Sequence, residues 1–479
     1  MKILHVTNYD NLGGAGIAAY RLHTALRKAG VDSRMLVRTK GSEDPFVTEV
    51  GTGEVRFADF TGQGDQPVRH SLGDGGRSEI SSPKAHSLWS KALSSSLAVR
   101  GRGWLGTQVT RLLGMNACSL NILPTGLHKV LNASDAEIIH LHWINNEMIS
   151  IKEIAKIKKP IIWTLHDCWP LLGAEHHSDA NEYFRSNVES GTLDVECTSH
   201  ISHSTFHIPD PTSHISRPTT HAVFRAVNKY IFRMKQRAWK RLPVSFIAPS
   251  NWMAEQVRQS KLFADAPVKV IPNCLDLEVF QPLEPSECRQ RFGLPQDKQL
   301  ILFGAFDPMD PNKGMDLMEQ ALLAMTEDVR AGMGVVVFGC KGNRKIAGLE
   351  THWMGAVSSE ETMTELYNTA DVVCVPSRKE TLPTVIAEAL ACGVPCVGFN
   401  IGGLPDMIGH KVNGWLAEPY DTEELAKGIT WILTEDKCPA TGCYALSQMA
   451  RAKAEGMFSS DAIAHRCVHL YEMKEVESL

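Results

Sequence analysis

The sequence predicts an α/β fold made of two doubly wound domains. Short apolar strand patterns alternate with helical patterns in both halves of the chain, and a glycine loop follows the first strand. With 479 residues, of which 43% are hydrophobic, the chain is long enough for two domains that each have a core. The net charge of −5 gives no reason to expect nucleic acid as a partner.

The first domain is predicted to span residues 1–280. Its opening carries a strand pattern, a loop with Gly13 and Gly14, a helical pattern and a second strand pattern, at residues 3–6, 13–16, 17–29 and 33–38. Alternation resumes later with a strand, a helix and a strand, at residues 138–143, 147–158 and 160–166. A basic helix and two more strands complete the domain, at residues 222–241, 245–250 and 268–272.

Two stretches of the first domain lack this periodicity. Residues 41–108 are rich in Gly, Ser and Arg, and a second irregular stretch runs from about residue 175 to 218. Such composition buries little apolar surface, so both are expected to be long irregular excursions.

The second domain is predicted to span residues 281–458. A charged, proline-containing linker precedes the strand pattern at 300–306, after which strands and helices alternate to about residue 435. The final stretch, 459–479, is amphipathic. The two domains should face each other with the carboxyl ends of their strands, where ligands bind to such sheets.

The sequence also favours a cytoplasmic protein. Its twelve cysteines have no paired spacing, which predicts reduced thiols, and the first residues already form a strand pattern and not a signal peptide. No apolar run reaches the roughly 18 residues that a membrane-spanning helix needs.

Glu380 and Glu388 are the most informative pair of residues. Pro383 precedes a helical pattern from Thr384 to Cys392, so Glu380 should lie on the preceding loop and Glu388 inside the helix. The two carboxylates could then hold two parts of one ligand, with a phosphate at the helix N-terminus. The alternative is a helix-capping Glu380 and a surface ion pair for Glu388.

The segment PSRKETLPTVIAEALACGVPCV, with FNIGGLPDMI and NGWLAEP after it, resembles the E-x7-E signature of family 4 glycosyltransferases. The resemblance extends to HLHW, WTLHDCWPLLG, FIAPSNWMAEQ, VIPNCLDLEVF and FGAFDPMDPNKGMDL. It implies a GT-B fold, with two Rossmann-like domains across a cleft and a final helix that crosses back to the first domain. The residues of these motifs are similar to those of the branch of the family that builds bacterial exopolysaccharide and colanic-acid-like repeat units.

The resemblance implies a retaining, metal-independent transferase that needs no cofactor besides its nucleotide-sugar co-substrate. In the second domain it assigns the donor ribose to Glu388, the donor sugar or reaction centre to Glu380, and the leaving diphosphate to Lys313. Leu382 and Thr384 are further donor-binding candidates. As a lone lysine in a turn, Lys313 could instead be solvated.

In the first domain the resemblance places His166, of TLHD, near the sugar and the reaction centre. Glu380, His166 and Lys313 are therefore the catalytic candidates. Asp167 is expected to orient His166 or to cap the next turn. Gly13 and Gly14 would let backbone N–H groups approach the donor phosphates, although tight strand-to-helix packing explains a glycine loop equally well.

The chain departs from the family pattern at two positions. Ala305 stands where the family usually has an arginine, so Lys313 should carry more of the diphosphate charge, with help from Arg378 or Lys379. Pro383 lacks the N–H that a glycine would offer the sugar. Because of these departures, a non-catalytic GT-B subunit of a polysaccharide-synthesis complex remains an alternative function. A dinucleotide oxidoreductase fits less well, because GGAG lacks the order G-x-G-x-x-G.

Two further features concern metal and membrane. Cys197, His200, His203 and His207 have spacing that could hold a metal, but GT-B enzymes as a class need no catalytic metal, so no metal site is expected. The basic helix has apolar residues on one face, with Arg225, Lys229, Arg233 and Arg237 on another. That face is either solvated or in contact with anionic lipid, where a polyprenyl-diphosphate-linked or other glycan acceptor would lie.

Overall fold

Two parallel β-sheets organise the chain, in a computed structural model that describes residues 1–50, 110, 118–177, 218–435 and 443–478. The first sheet has seven strands in the order β3-β2-β1-β4-β5-β6-β7. Its strands are β1 (Lys2–Tyr9), β2 (Asp32–Thr39), β3 (Val47–Glu49), β4 (Ile138–Leu141), β5 (Ile161–Thr164), β6 (Val244–Ala248) and β7 (Val268–Val270). Its helices are α1 (Gly13–Lys28), α2 (Leu127–Ala133), α3 (Ile151–Ile154), α4 (Pro218–Trp239) and α5 (Asn251–Arg258).

The second sheet has six strands in the order β10-β9-β8-β11-β12-β13. They are β8 (Gln299–Gly304), β9 (Met333–Phe338), β10 (Glu350–Gly355), β11 (Val372–Val375), β12 (Cys396–Phe399) and β13 (Gly414–Ala417). The helices are α6 (Pro285–Phe292), α7 (Met315–Ala324), α8 (Glu327–Ala331), α9 (Glu360–Tyr367), α10 (Thr384–Ala391), α11 (Leu404–Met407), α12 (Thr422–Glu435), α13 (Cys443–Phe458) and α14 (Ser460–Ser478). A 3-10 turn at Pro311–Lys313 precedes α7.

Both sheets reverse their strand order at one point, between β1 and β4 in the first and between β8 and β11 in the second. Ligands bind to such sheets at the carboxyl ends of the strands beside the reversal. The loops after β1, β8 and β11 therefore have the position from which a ligand would be held. The predicted α/β fold with two doubly wound domains is confirmed.

The strands next to each reversal are buried on both faces, as expected when helices cover both sides of a parallel sheet. In the first domain, Trp163 of β5 packs against Trp169 and Trp239. This aromatic cluster joins β5 to α4 and to the loop after β5.

The last helix, α14, packs on the first domain although it follows the second in sequence. Ile463, Cys467 and Tyr471 are buried against Ile3 of β1 and Leu26 of α1. The chain thus passes between the domains twice, once before α6 and once at the junction of α13 and α14.

The structure corrects three details of the sequence prediction. Strand β3 lies within the predicted excursion 41–108, because Val47 pairs beside Met35 of β2 and is buried. The predicted helix 147–158 is reduced to α3, since Asn146 and Glu147 have left-handed backbones, with φ of 54° and 61°. At the start of the second predicted excursion, Glu175 forms a β-bridge with Cys118, and His176 and His177 line the cleft described below.

Residues 51–108 and 178–217 of these excursions, with Cys197, His200, His203 and His207, lie outside the described residues. Within the described part of the chain, none of the helices is both long enough and apolar enough to cross a membrane.

Candidate active site

A cleft of about 440 Å³ lies between the two domains, at the carboxyl ends of both sheets. Its walls come from the loop after β1, the ends of β4 and β5, and the loops after β8 and β11. The lining residues are Gly13, Gly14, Ala15, Trp143, His166, Asp167, His176, His177, Pro249, Asn273, Phe303, Gly304, Ala305, Phe306, Asp307, Asp310, Lys313, Cys374, Val375, Ser377, Glu380, Thr381, Leu382, Pro383, Thr384 and Val385.

The N-terminus of α1 forms part of the first-domain wall. Gly13 has a left-handed backbone, with φ of 68°, and no side chain caps the helix start at Leu12. A Cβ placed on Gly13 or Gly14 would meet no atom within 4 Å, so packing within the described residues does not require a glycine at either position. The first N–H groups of α1 have no intrahelical partners and are therefore available to a ligand in the cleft.

Asp167 is held by donors from its own domain. Its carboxylate accepts hydrogen bonds from Trp143 Nε1 at 2.8 Å, from Asn145 at 2.9 Å and from the Trp169 amide at 3.0 Å, and it lies 3.1 Å from Nδ1 of His176. Burial alone would raise the pKa of Asp167, but His176, His177 and the Trp169 amide leave it below its usual value. Asp167 thus caps the turn at Trp169, one of the two roles that the sequence predicted.

His166 lies at the end of β5, on the cleft wall. Its Nε2 is 3.0 Å from Nδ1 of His142, and burial lowers the pKa of His166 to about 4. The imidazole is therefore neutral at pH 7. A neutral, hydrogen-bonded histidine can donate to a ligand oxygen, but it accepts a proton poorly.

On the opposite wall, Lys313 and Glu380 form an ion pair, with 2.7 Å between Nζ and Oε1. The Glu380 carboxylate raises the pKa of Lys313. The turn that carries Lys313 ends at Gly314, whose φ is 73° and whose place a larger residue could not take. A Cβ there would lie 2.0 Å from the carbonyl oxygen of Pro376. This close contact holds the Lys313 turn against the loop that bears Glu380.

Helix α10 begins at the cleft with Thr384, and no side chain caps it at Pro383. Leu382, Pro383 and Thr384 line the cleft beside its free N–H groups. The predicted placement of Glu380 on a loop and Glu388 inside the helix agrees with the structure.

Glu388 is buried, and it is not among the described residues that line the cleft. Its carboxylate accepts hydrogen bonds from Tyr367 Oη at 2.7 Å and lies 2.8 Å from a guanidinium nitrogen of Arg21, which belongs to α1. Arg21 also pairs with Glu360 at 2.8 Å. Burial disfavours the charged guanidinium, but the two glutamates outweigh burial and raise the pKa of Arg21. Arg21 therefore joins the domains through Glu388.

The cations that were expected to replace the missing arginine lie elsewhere. Arg378 pairs with Asp316 at 2.6 Å and donates to the carbonyl of Pro311. Neither Arg378 nor Lys379 lines the cleft, whereas Ala305 does. Among the described lining residues, Lys313 is the one lysine or arginine, and it faces four carboxylates, those of Asp167, Asp307, Asp310 and Glu380.

The buried histidines of the first sheet form a possible metal site. His5, His140 and His142 bring ligand nitrogens within 4.8 Å of one another. Both nitrogens of His140 are bonded, to Tyr471 Oη and Thr164 Oγ1, each at 2.8 Å. Both nitrogens of His142 are bonded as well, to His5 and His166. A metal would have to break these bonds, so the cluster fits a hydrogen-bonded network better than a metal centre.

Sequence reasoning missed several residues of this region. Arg21 meets Glu388 only through the docking of α1 on the second domain, and Tyr367 reaches Glu388 from the neighbouring helix α9, so no local pattern encodes either contact. The histidines did leave a signal, because HLH in β4 repeats with period two and places His140 and His142 on one face of the strand. The exposed Phe306, in the loop after β8, also lines the cleft.

Comparison with known proteins agrees with this geometry. Residues 286–447 match the family described as "Glycosyl transferases group 1". Most of the second domain is therefore similar to this family. Lys313, Glu380 and Glu388 all lie inside the matched region, and so does the whole of α10.

Two relatives are named D-inositol 3-phosphate glycosyltransferase. The one from Xylanimonas cellulosilytica is 34% identical over 187 residues, covering 35% of this chain and 43% of the relative. The one from Segniliparus rotundus is 30% identical over 250 residues, covering 47% and 54%. The matches thus span about half the length of these relatives.

Similarity to solved structures extends over nearly the whole chain. Sucrose-phosphate synthase from Thermosynechococcus elongatus aligns over 99% of both chains, with a TM-score of 0.58 and 17% identity. Anabaena HepE in complex with UDP and glucose aligns over 98% of this chain and 99% of its own, with a TM-score of 0.56 and 16% identity. The fold is therefore GT-B, and the region similar to group 1 glycosyl transferases lies in its second half.

Proposed function

We propose that the chain is a retaining glycosyltransferase that transfers a sugar from a nucleotide-diphosphate sugar to a glycan or lipid-linked saccharide. One observation carries the proposal. The N-termini of α1 and α10, one from each domain, and the Lys313–Glu380 pair converge on a single cleft. Free N–H groups and an ammonium suit a diphosphate, which is the leaving group of such a donor.

The charges in the cleft suggest which protein groups bind the diphosphate of the donor and which bind its sugar. With one lysine against four carboxylates, the backbone N–H groups of α1 and α10 must supply much of the diphosphate binding. The carboxylates are acceptors without protons of their own and suit the hydroxyls of a sugar. The UDP and glucose named for HepE support a nucleotide-sugar donor here.

The chemistry proposed is transfer with retention and without a catalytic metal. His166 is neutral, and one of its nitrogens is engaged by His142, so it is poorly suited to be a general base. The leaving phosphate would take the proton of the acceptor hydroxyl, while Lys313 and the helix N-termini stabilise the charge that develops. Activity is therefore expected to survive EDTA, and a loss that added Mg²⁺ restores would contradict this mechanism.

Glu388 is proposed to hold the donor ribose, as the family resemblance implies. In the present arrangement its carboxylate is occupied by Arg21 and Tyr367. Binding of ribose at Glu388 therefore requires Arg21 to withdraw. Donor binding and the contact between the domains would then compete for the same carboxylate.

The acceptor is proposed to belong to bacterial surface polysaccharide synthesis, because the residues of the sequence motifs resemble those of the exopolysaccharide branch. The names of the two relatives favour a second candidate, a small phosphorylated polyol such as inositol phosphate. A transfer assay with lipid-linked saccharides in one arm and inositol 3-phosphate in the other separates the two acceptors.

The decisive experiment for the function is a panel of nucleotide sugars. A donor that binds the folded chain raises its melting temperature, and slow hydrolysis of the same donor without acceptor identifies an enzyme. Binding without hydrolysis or transfer would favour the non-catalytic GT-B subunit. Absence of any thermal shift with UDP-, GDP- and ADP-sugars would contradict the proposed function.

We also propose that the protein works in the cytoplasm, with α4 in peripheral contact with anionic membrane. Arg225, Lys229, Arg233 and Arg237 are exposed, and so is Tyr230, at 60%. The opposite face of α4 is buried in the first domain through Ile231 and Phe232. An exposed basic face with an aromatic residue suits the surface of an anionic bilayer.

A further inference from the structure

Three histidines form a hydrogen-bonded line from the core of the first domain to the cleft. His5 Nδ1 lies 2.9 Å from His142 Nε2, and His142 Nδ1 lies 3.0 Å from His166 Nε2. The rings of each pair are stacked, with centroids 5.1 and 5.3 Å apart. His5 and His142 are buried, and His166 lines the cleft.

The parallel pairing of the strands produces this line. His5 of β1 faces His140 of β4 in register, and His142 follows two residues later on the same face of the chain. His166 follows β5, which pairs with β4. The three side chains therefore step across the middle of the sheet, at the strand reversal where the cleft opens.

Burial lowers the pKa of all three histidines, so each is neutral at pH 7 and carries one N–H. The two hydrogen bonds can then run in only two directions. If the protons point outward from His5, the inner end of the line is a bare nitrogen at His5 Nε2. If they point inward, that end is an N–H group.

The inner end decides the direction. Nε2 of His5 is buried and has no hydrogen-bond partner among the described residues. A buried N–H without an acceptor is rarer in proteins than a buried acceptor without a donor. Outward orientation is therefore favoured. His142 then donates from Nδ1 to Nε2 of His166, and the proton of His166 must lie on Nδ1.

We infer that His142, backed by His5, is a positioning residue that fixes His166 in its Nδ1–H tautomer and so makes it a hydrogen-bond donor toward an oxygen in the cleft. No described residue bonds Nδ1 of His166, so this N–H is left for a ligand. The identity of the oxygen, a sugar hydroxyl or a phosphate oxygen of a nucleotide sugar, rests on the proposed function. The tautomer itself does not.

The first test reads the tautomer in the unliganded full-length protein. NMR of histidine labelled with ¹⁵N distinguishes a protonated Nδ1 from a protonated Nε2, and loss of one signal set in His166→Asn assigns His166. We expect the Nδ1–H form, unchanged from pH 8 to pH 5.5. An Nε2–H form, or titration of His166 within that range, would overturn the inference, whether or not the protein transfers sugar.

The second test changes the donor to His166. His142→Leu removes it, and His142→Asn keeps an N–H close to the position of Nδ1. His142→Leu should release His166 to a mixture of tautomers, and His142→Asn should restore the Nδ1–H form. His140→Gln is the matched control, because it alters a buried histidine beside the line without removing a bond to His166.

Kinetics complete the test once a donor is found. His142→Leu should lower turnover by about 10- to 100-fold, as loss of an orienting partner commonly does, with a smaller change in KM. His142→Asn should recover part of the turnover. A folded His142→Leu variant with wild-type turnover and an unchanged tautomer would overturn the positioning role. If no variant, wild type included, shows transfer while His166 keeps the predicted tautomer, the proposed function fails and this inference stands.

Discussion

Acidification from pH 7 to pH 5 should strongly destabilise the first domain through its buried histidines. His5, His140 and His142 are buried, and burial lowers the pKa of each from an ordinary value of 6.5, in the case of His140 to about 3. The unfolded chain takes up protons as the pH falls below 6.5, and the folded chain does not. The stabilisation from these groups is therefore complete above the unfolded pKa and is lost as the pH falls toward the folded values.

The magnitude follows from the same difference. Once the pH is well below 6.5, each such histidine lowers the free energy of unfolding by about 1.4 kcal/mol per pH unit. At pH 5 the loss is about 2 kcal/mol for each histidine and about 6 kcal/mol for the three. A typical free energy of unfolding is only about 5–15 kcal/mol, so the effect is large.

Urea unfolding followed by tryptophan fluorescence at a series of pH values measures this loss. The carboxylates with lowered pKa, such as Asp44 and Asp167, respond only near or below 3.8. Burial raises the pKa of Glu147, which opposes the loss, so a fall in stability between pH 7 and pH 5 reports the histidines. His140→Gln should reduce the slope by the share of one histidine. A free energy of unfolding that changes by less than about 1 kcal/mol across this window would refute the reasoning.

Four further predictions concern the cleft, the contact between the domains and the basic helix. Glu388→Ala should weaken donor binding and Glu380→Ala should mainly slow turnover, and near-wild-type turnover in both would contradict the assignment. Lys313→Met should lower turnover by about 10²- to 10³-fold, with partial recovery in Lys313→Arg, because the leaving diphosphate loses its cation. Arg21→Met should cost about 3–5 kcal/mol in urea unfolding, because it leaves Glu388 buried and unpaired by a cation, and adding Glu388→Gln should recover much of this loss. Wild type should pellet with anionic vesicles at low salt, each cation contributing about 1 kcal/mol, and failure to pellet would leave α4 as a solvated helix. The matched variant neutralises Arg225, Lys229, Arg233 and Arg237. It should still bind the donor but should no longer bind the anionic vesicles.

The parts of the site that depend on local sequence could be predicted. The turn at Pro383, the helix after it and the places of Glu380 and Glu388 are all encoded within about ten residues. The contact of Lys313 with Glu380 joins residues 67 positions apart, and the contact of Arg21 with Glu388 joins two domains. Such contacts depend on register and docking, which the motif pattern does not contain.

The same distinction applies to the fold. The alternation of strands and helices was enough to predict two parallel sheets. Strand β3 has three residues and no pattern of its own, and it exists because β2 offers it an edge. Helix α3 is short because the backbone before Ser150 turns left-handed, a feature that a helical hydrophobic pattern hides.

The two passages of the chain between the domains run side by side. Leu275 forms a parallel bridge with Ser459, its amide donates to the carbonyl of Phe458 at 2.8 Å, and the hydroxyl of Ser460 donates back to Leu275 at 2.7 Å. Two adjacent connections form a hinge. They resist twisting and sliding of one domain against the other but permit rotation about the line that joins them. The domains are also joined by Arg21, which pairs with Glu388 and Glu360, and by Asn251, which donates to Asp406. Opening of the cleft should therefore be a rotation about the paired connections that begins when Arg21 releases both glutamates and Asn251 releases Asp406.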